Sequence, residues 1–594
     1  MSGHDYTIYP SKSKTLFLRT LTIRCGRFIW PKGMSYASWQ NLLKFRAIVK
    51  CRTAMNPKQR QRKHLSRRYR KFLKSNARQR DEIIESHIEK IANTIKSSEQ
   101  PNNEDIKLEL ITMLKQFLDR KHLPQHIENL IPDKRNQVLI TYPKGAIMKA
   151  ALAIFLFREG SGNKFDDDCH GDDEKYSRAN MAKFIDAPEN CVPVIKTIET
   201  FIQNLDKQSI NNLMIAFFKD LQQSKFFKQH QQIMPGDFFL LAADCVHTHT
   251  YDHPHHVDAN GENDCDCCLK RVYNKGTEKE KTRWLHSVLV FSFIFECGLK
   301  LPIYSHPIRA KQVVGFETAS EDSHKQECEL VALKYNLPII REAFPRMKIV
   351  LLLDGLYANR PVIKLAEEYR CGYIIVRKEG SLSLLAKDCD DLAVSSNHKK
   401  NCVKQCQRVN RQEWLIEQKY AWFNSRYLGE GVSTNVLRFW ETRTKKGEET
   451  ETYKCEWLFS WRLSAKTCEL ATRQARLRWE IEDLFNSLKN RGSNLKHDYS
   501  RNPRSCFNWQ GLSLLAFGIF ELFRFSEAVT QRGDWPQRTL AHKLLSQLLQ
   551  RPTMEIFSEK CLSKKIQFRY HFVVEMIKSI EIPQKEVEAK LKTG

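Results

Sequence analysis

The sequence lacks several features that would assign it to a common protein class. Its longest apolar stretch, Trp509 to Phe525, is interrupted by Glu521 and Arg524 and falls short of a clean membrane span of about 20 residues. The N-terminal residues show no apolar core followed by a small-residue cleavage site, so we expect no secretory signal. A G-x-x-x-x-G-K motif is also absent. We therefore expect a cytoplasmic protein that uses neither a membrane nor a nucleotide cofactor.

A repeating cysteine framework is also lacking. The eighteen cysteines are scattered, which is typical of reduced thiols in a cytosolic protein. One C-x-x-C, Cys265 to Cys268, follows His253, His255 and His256, and cysteines and histidines this close could hold tetrahedral zinc. Cys265 and Cys268 are therefore candidates for a structural zinc site. A second, regularly spaced C-x-x-C is missing, so a flexible polar loop is the alternative.

Negative charge is missing from one long N-terminal segment. Between Asn41 and Arg80 there are six Lys, nine Arg and no Asp or Glu, which gives +15 of the formal net charge of +27. A surface this basic attracts a polyanion, because each neutralised phosphate releases counterions. The second half of the segment has no proline or glycine and can be helical, so Arg67, Arg68 and Arg70 are candidate DNA-binding residues. A solvated basic tail is the alternative.

From about Lys107 to Gln232 the pattern is helical, with apolar residues recurring three or four apart. A polar break at residues 160–177 contains the acidic run Asp166 to Asp168. Consecutive carboxylates on a polar loop are usually solvated, and we expect the same here.

After Gly236 the pattern changes to short apolar runs, which are typical of buried strands. Two of these runs, 238–243 and 349–353, end at an aspartate, Asp244 and Asp354. Other strand-like segments lie at 284–295, 301–308 and 372–378, and helical segments at 318–344 and 360–370. The longer helical segment has an apolar stripe of Cys328, Leu330, Val331, Leu333 and Leu337. Alternating strands and helices predict an α/β fold with a partly parallel sheet covered by helices.

Residues 380–468 break this alternation. Between Val436 and Leu463 apolar and polar residues alternate around a K-K-G-E-E turn, which is typical of a β-hairpin. We therefore expect a β-rich insertion. Helical periodicity returns at Cys468 and continues to Gly492, where the glycine is expected to end the helix.

The two aspartates at strand ends favour a metal site. Open α/β sheets place their sites at the carboxyl ends of strands, and Mg²⁺ takes carboxylate oxygens as ligands. Two such ions can activate a hydroxyl and stabilise the leaving oxygen when a phosphodiester is cleaved. An aspartate after one buried strand is often only a turn residue, so the prediction depends on a third carboxylate.

Glu482 is that carboxylate, within R-W-E-I-E-D-L-F-N-S-L-K from Arg478 to Lys489. On one continuous helix Arg478, Glu482 and Lys489 fall within about 40° of one another. Cations on both sides of a carboxylate could grip phosphates next to a metal ligand. An ordinary i,i+4 salt bridge on a surface helix is the alternative.

The order Asp244, Asp354, β-rich insertion and R-W-x-I-E-x-x-F-x-x-L-K resembles the DDE transposases of bacterial insertion sequences. The resemblance covers about residues 233–500 and is closest to the group with a Tyr/Arg/Glu/Lys signature. It implies a ribonuclease-H-like mixed sheet with a β-rich insertion, flanked by helical N- and C-terminal regions. The 128 residues from Asp354 to Glu482 (482 − 354) far exceed the dozen or so of a simple crossover. The signature tyrosine falls on Ala475, so that contact is missing or supplied elsewhere.

The resemblance also implies an activity, strand cleavage followed by strand transfer. Asp244, Asp354 and Glu482 would be catalytic and would bind two Mg²⁺ ions, with Mn²⁺ as a substitute. The partners would be double-stranded DNA, both element ends and target, bound by a homodimer in the bacterial cytoplasm near the nucleoid. Arg478 and Lys489 would contact DNA phosphates.

A tryptophan of the insertion, Trp457 or Trp461, is a candidate to stack on an extruded base. The alternative for each tryptophan is a place in the hairpin core. Two other functions stay open for the chain, a catalytically inactive DNA-binding derivative of a transposase and a ribonuclease-H-like nuclease without strand transfer. The expected organisation has seven segments: 1–36, a poorly ordered leader; 37–125, a basic helical region; 126–235, a helical DNA-binding region; 236–379, the first part of the catalytic core; 380–468, the insertion; 469–500, the last core helix; and 501–594, a C-terminal helical region.

Overall fold

A computed structural model describes residues 108–570 except 172–175, 224–237, 262–264, 266, 310–323, 395–399, 410–411, 446–447, 498 and 501. The chain divides into two units, Met1–Ile106 and Lys107–Gly594, and the described residues all belong to the second. The expected leader, most of the basic region and the candidates Arg67, Arg68 and Arg70 lie outside the described residues.

The N-terminal part of the described chain is helical, as the periodicity predicts. Its helices are α1 (Leu110–Arg120), α2 (Leu123–Leu130), α3 (Lys144–Leu156), α4 (Gly162–His170), α5 (Ser177–Ile185), α6 (Ile195–Gln203) and α7 (Lys207–Gln223). The helices pack through their apolar faces, and Phe218 of α7 stacks on Phe293 in the sheet with ring centroids 4.6 Å apart. Burial of this kind, rather than helix propensity alone, stabilises short helices.

The acidic run expected on a solvated loop lies instead on helix α4. The Ser161 hydroxyl caps this helix by accepting the Lys164 N–H at 3.2 Å, and a capped start of this kind favours a helix over a loop. Asp166 accepts the backbone N–H of Ile195 at 2.8 Å, and Asp168 forms an ion pair with Lys164. The loop prediction was wrong because the capping serine outweighs the polar composition.

Ten strands form one mixed sheet. They are β1 (Phe239–Tyr251), β2 (Leu269–Tyr273), β3 (Lys281–Ile294), β4 (Lys300–Pro307), β5 (Ile349–Leu353), β6 (Gly372–Val376), β7 (Lys400–Val409), β8 (Gln412–Gly429), β9 (Val432–Lys445) and β10 (Glu448–Phe459). The strand order is β2-β3-β1-β5-β6-β10-β9-β8-β7, and β4 pairs with β3 off this path. The predicted α/β class with a partly parallel sheet is confirmed.

The parallel part of the sheet consists of β1, β5 and β6. Helix α8 (His324–Ala343) precedes β5, and helix α9 (Arg360–Glu368) connects β5 to β6. All five residues of β5, the sequence IVLLL, are buried, as expected for a central strand covered on both faces. The pattern of short apolar runs therefore located this part of the fold correctly.

The insertion begins with helix α10 (Ser383–Val394), which the sequence analysis did not predict, and continues with β7 to β10. The predicted hairpin is confirmed, because β9 and β10 pair antiparallel on either side of residues 446–447. β10 also pairs with β6, with Trp457 opposite Val376. The β-rich segment therefore extends the central sheet instead of forming a separate one.

The chain after the insertion is helical: α11 (Cys468–Arg476), α12 (Trp479–Asn490), α13 (Pro503–Arg524), α14 (Glu527–Thr530), α15 (Gln537–Gln550), α16 (Thr553–Ile556) and α17 (Glu559–Ser563). The single helix expected from Cys468 to Gly492 is divided into α11 and α12. At the division Arg478 N–H bonds to the Ala475 carbonyl three residues back, at 3.2 Å, and three-residue spacing tightens the turn. The segment Ser505–Arg524 is long and apolar enough to cross a membrane, but its apolar window of 18 residues is entirely buried inside the protein.

Candidate active site

The parallel register of β1 and β5 places two aspartates at the same level of the sheet. Phe239 pairs with Ile349 and Ala242 with Leu352, a constant offset of 110 positions (349 − 239; 352 − 242). Asp244 and Asp354 have the same offset (354 − 244 = 110). Asp244 on β1 and Asp354 directly after β5 therefore lie side by side, just beyond the last parallel pair. Two carboxylates predicted from separate strand ends thus come together at one point.

The prediction that Asp244 ends its strand was wrong. β1 continues to Tyr251 because it pairs antiparallel with β3, where Asp244 lies opposite Val290. Asp354 does follow the end of β5, as predicted. Asp244 is therefore held in extended backbone on both sides, which fixes its position more firmly than a loop would.

Glu482 lies in the first turn of α12, which packs on β1, β3 and β4. A buried lysine at the start of β4 holds this turn in place. The Lys300 ammonium lies 2.9 Å from the Glu480 carboxylate and 2.7 Å from that of Asp483. These two acidic residues flank Glu482, so both ion pairs fix the turn that carries it.

Arg478 links two of the three predicted carboxylates. Its guanidinium lies 2.5 Å from Glu482 Oε1 and 3.8 Å from Asp244 Oδ2. The first contact is the i,i+4 pair that the alternative interpretation, an ordinary salt bridge on a surface helix, predicts. The second crosses to β1, and the Arg478 side chain is only 11 % exposed. The arginine is therefore largely buried and bridges two elements, although its partner Glu482 is 41 % exposed.

Asp354 is held by two donors. Its Oδ1 accepts the Leu356 N–H at 2.9 Å, and the Lys378 ammonium donates to Oδ2 at 3.1 Å. The aliphatic part of Lys378 crosses Gly355 so closely that a Cβ there would lie 2.4 Å from Lys378 Cγ. A glycine after Asp354 is thus needed for the lysine to reach the carboxylate.

The three carboxylates repel one another. Burial first, and then the charges of Asp354 and Glu482, raise the pKa of Asp244 to about 6, against the opposing effect of the Cys245 N–H and Arg478. The cations Arg478 and Lys378 reduce this repulsion only in part. Hard oxygen donors with excess negative charge are what Mg²⁺ or Mn²⁺ requires. Asp244, Asp354 and Glu482 supply donors of this kind, although they are not among the described groups whose donor atoms all lie within 4.8 Å of one another.

Sequence reasoning missed a fourth carboxylate, Glu329 of α8. Burial first, and then the nearby charges of Asp244 and Asp354, raise the pKa of Glu329 to about 7. Its side chain also hydrogen-bonds to Cys245. The available signal was its place between two members of the apolar stripe, Cys328 and Leu330. A carboxylate on a buried helix face is costly unless it is paired or coordinates a metal.

A group of cations lies near the carboxylates. Burial, followed by the charge of Lys496, lowers the pKa of Lys489. Burial, followed by Arg271 and Lys489, lowers the pKa of His247, three residues after Asp244. Within the described residues no acidic side chain forms an ion pair with Lys489 or Lys496. Unneutralised cations close to a possible metal site suit an anionic substrate such as a phosphodiester.

The two tryptophans proposed for base stacking are both engaged in packing. Trp457 is 2 % exposed and packs against Phe439 with ring centroids 6.0 Å apart, so no face of its ring is open to a base. Trp461 packs on Phe238 and Phe459 at 5.5 and 5.0 Å. Trp457 therefore lies in the hairpin core, as the alternative predicted, whereas Trp461 lies just after β10 and is partly exposed.

A third tryptophan, which sequence reasoning passed over, has an open ring. Trp479 is 55 % exposed and lies beside Arg478, whose guanidinium carbon is 5.0 Å from the ring centroid. Its side chain also hydrogen-bonds to Tyr453. The signal for it was its place next to Arg478 within the motif itself.

The remaining candidates lie away from the carboxylates. Ala475, at the position of the signature tyrosine, is buried on α11 with 1 % exposure. Cys265 and Cys268 contact each other, and both also contact His286 of β3. His249, five residues after Asp244, donates from Nε2 to the His497 carbonyl at 2.6 Å.

A comparison of the chain with models of known protein families found no match, and a comparison with curated proteins found none either.

Proposed function

We propose that this protein is a metal-dependent DNA transposase of the DDE type, which cleaves the ends of a mobile element and joins them to target DNA. The observation that carries the proposal is the meeting of Asp244, Asp354 and Glu482, which are separated by 238 positions (482 − 244). Arg478 contacts the first and the last of them. Asp354, the third carboxylate, is paired with Lys378 instead, and its charge raises the pKa of Asp244, so the three carboxylates are close enough to interact.

The strand order supports a ribonuclease-H-like core. Three antiparallel strands, β4-β3-β1, continue into two parallel strands, β5 and β6. The resemblance implies aspartates on the first and fourth strands and a glutamate on a late helix. Here the carboxylates lie on β1, directly after β5 and on α12, so the second aspartate comes one strand later than implied. The insertion of α10 and β7 to β10 lies between Asp354 and Glu482, as the resemblance also requires.

The residues would divide the chemistry as follows. Two divalent ions bound by Asp244, Asp354 and Glu482 would activate the attacking hydroxyl and stabilise the leaving oxygen. Arg478 and Lys378, already beside the carboxylates, would orient the scissile phosphate. Lys489 would grip a flanking phosphate, since it lies seven residues and about 10 Å along α12 from Glu482. Attack by water on the phosphodiester at the element end would first free a 3′-hydroxyl. That hydroxyl would then attack a phosphodiester of the target strand.

The remaining parts of the proposal concern DNA binding and assembly. The +15 segment at 41–80, with Arg67, Arg68 and Arg70, would bind the DNA backbone by counterion release. The helical region at 126–235 would recognise the inverted repeats. A homodimer would hold two ends together in the bacterial cytoplasm, near the nucleoid.

The test is a cleavage and joining assay on DNA that carries the inverted repeats flanking the gene, in Mg²⁺ or Mn²⁺. We expect the wild-type chain to nick these ends and join them to target DNA, and Asp354→Asn to do neither. Asp391→Asn is the matched control, because this aspartate is exposed on α10, and we expect it to behave like the wild type. Equal products from the wild type and Asp354→Asn would exclude the proposed metal site.

The buried Ala475 favours one second candidate, an inactive DNA-binding derivative, because a tyrosine would not fit at this position without repacking. In that case the wild-type chain and Asp354→Asn would bind the element ends with the same affinity, and neither protein would cut them. Nicking without joining would instead identify a nuclease. The same assay therefore separates all three functions.

A further inference from the structure

Four sulfur and nitrogen donors converge at the far end of β1, away from the three carboxylates. Cys265 and Cys268 lie just before β2, His255 lies in the loop after β1, and His286 lies within β3. The two Sγ atoms are 3.4 Å and 3.2 Å from His286 Nε2. Donor atoms of His255, Cys265 and His286 all lie within 4.8 Å of one another.

We propose that His255, Cys265, Cys268 and His286 bind one structural zinc ion. This inference is independent of the proposed function, because it depends only on these donors and on the loop that they hold.

The distances agree with the geometry of such a site. With Zn–S bonds of about 2.3 Å and Zn–N bonds of about 2.0–2.1 Å, the sulfur and nitrogen of a tetrahedral site are about 3.6 Å apart. The observed separations of 3.4 and 3.2 Å differ from this edge by a few tenths of an ångström. His286 and the two sulfurs would therefore need only small movements, whereas Cys268 lies outside the group of donors within 4.8 Å of one another and would have to move closer to His255.

The local backbone also has the form that a cysteine pair needs to share an ion. The Cys268 N–H donates to the Cys265 carbonyl at 3.3 Å, which closes the C-x-x-C into a turn. The His255 N–H donates to Cys268 Sγ at 3.3 Å, and this donor would stabilise the negative charge on the sulfur once a metal ion displaced its proton. The turn directs both sulfurs toward the same side of His286.

Burial provides an independent reason for a ligand. Cys265 is 1 % exposed and both Cys268 and His286 are 0 % exposed, although residues 258–261 and 274–280 on either side are exposed. A buried imidazole that faces two thiols gains little from weak S–H bonds, whereas coordination would use its Nε2 fully.

Zinc is the occupant that these donors select. Two thiolates and two imidazoles form a closed Cys₂His₂ set with no position left for substrate, which is the arrangement of structural sites. Magnesium and calcium prefer oxygen donors, so this site would not compete for the ions proposed at the carboxylates. The thiols would lose their protons to solvent as the ion binds.

A second donor group shares His286 but fits less well. Donor atoms of His249, His286 and Cys506 also lie within 4.8 Å of one another. However, His249 Nε2 is already 2.6 Å from the His497 carbonyl, and its Nδ1 is 3.9 Å from Cys506 Sγ. This group offers one sulfur instead of two, so we assign the ion to the Cys265 and Cys268 pair.

The consequence of zinc would be a fixed loop. The ion would join the segment after β1 and the segment before β2 to His286 on β3, over a stretch with few buried apolar residues. Because the unfolded chain has no preformed site, the free energy of zinc binding would add directly to the stability of the folded chain. It would also hold β2 in place, and with it Arg271, which lies close to His247.

The test uses the full chain, purified without chelator and analysed for metal by mass spectrometry. We expect about one zinc ion per chain in the wild type and near zero in Cys265→Ser and in Cys268→Ser. Cys267→Ser and Cys506→Ser are matched controls, because both cysteines are buried neighbours outside the assigned set, and both should retain zinc. Zinc retained in Cys265→Ser and Cys268→Ser, or lost in Cys506→Ser, would overturn the assignment.

A second measurement covers variants that fail to fold. Wild-type chain stripped of metal is titrated with Co²⁺, and we expect the visible absorption of tetrahedral cobalt together with a thiolate charge-transfer band. Added Zn²⁺ should remove both. A wild-type chain that contains no zinc and shows no thiolate–cobalt band would contradict the proposal, whatever the variants do. Neither readout depends on DNA cleavage, so failure here is distinct from failure of the proposed transposase.

Discussion

The guanidinium of Arg478 lies 3.8 Å from the carboxylate of Asp244, so the residue before α12 reaches the central strand of the sheet. The same guanidinium holds Glu482 at 2.5 Å. In the metal-free chain this arginine supplies the positive charge that the carboxylates lack. Each of the following predictions depends on that unbalanced cluster or on the elements that hold it together.

Replacing Asp244 with Asn should stabilise the metal-free protein near neutral pH. The folded pKa of about 6 lies above the ordinary value of 3.8, so the folded chain holds this proton more tightly than the unfolded chain does. The stability that the group contributes is complete below the ordinary value and is lost as the pH rises through 6. At about pH 7.5 we expect Asp244→Asn to raise the free energy of unfolding by on the order of 1–3 kcal/mol.

The measurement is urea unfolding in EDTA for the wild type and the variant. The difference between them should become small at about pH 3, where the aspartate is mostly protonated in both states. Asp391→Asn, on the exposed side of α10, should show no such pH-dependent gain. A variant less stable than the wild type at neutral pH would mean that Arg478 compensates Asp244 fully.

Binding of Mg²⁺ or Mn²⁺ should weaken as the pH falls through 6. The ion needs a deprotonated Asp244, and the proton competes for the same oxygens. With a pKa of about 6, the affinity should fall about tenfold between pH 7 and pH 5. The rise in melting temperature with added metal reports this affinity. A metal effect of the same size at both pH values would place the ion on other ligands.

Glu329→Gln should test whether the fourth carboxylate takes part in the proposed reaction. If its charge helps to hold the ions, we expect cleavage of the DNA ends to fall about tenfold or more, equal to about 1.4 kcal/mol. Removal of a buried acid whose pKa is raised to about 7 should at the same time stabilise the metal-free fold. Glu342→Gln is the control, because Glu342 is exposed on the same helix. A more stable variant that cleaves normally would limit Glu329 to a structural role.

Trp479→Ala should weaken binding of DNA with an unpaired base at the cleavage site. An open aromatic ring beside a cation suits stacking on a base, which is worth about 1–3 kcal/mol, or about 5- to 150-fold in affinity. Fluorescence of 2-aminopurine at the terminal positions would report the stacked base directly. Tyr427→Ala removes another exposed ring, 67 % accessible and in the insertion, and should have no effect. Equal quenching by the wild type and Trp479→Ala would exclude this ring.

The sequence predicted those parts of the site that depend on local pattern. Asp354 was located because five buried apolar residues precede it. Asp244 was assigned to a strand end because its own run of apolar residues stops there, but pairing with β3 keeps the strand extended. Such pairing is non-local, and no window of sequence around Asp244 contains it.

The residues that were missed have the same explanation. Glu329 becomes part of the site only when α8 packs near β1, and His286 joins Cys265 and Cys268 only when β3 pairs with β2. The ring of Trp457 was proposed to be open, but it faces the core because β10 pairs with both β6 and β9. Tertiary contacts, rather than periodicity, decide which side chains meet.

Lys300→Met should show how far the position of Glu482 depends on the contact between α12 and β4. The variant keeps most of the aliphatic side chain but removes an ammonium that is 8 % exposed and lies within 3 Å of Glu480 and Asp483. Both carboxylates stay partly exposed, so we expect a loss of on the order of 1–3 kcal/mol rather than the larger cost of a fully buried pair. Because the first turn of α12 would loosen, metal affinity and cleavage should fall together. Lys300→Arg should restore most of both, and Lys275→Met, in an exposed turn, should change neither. If Lys300→Met were less stable but kept full metal affinity, the ion pairs would stabilise the fold without positioning Glu482.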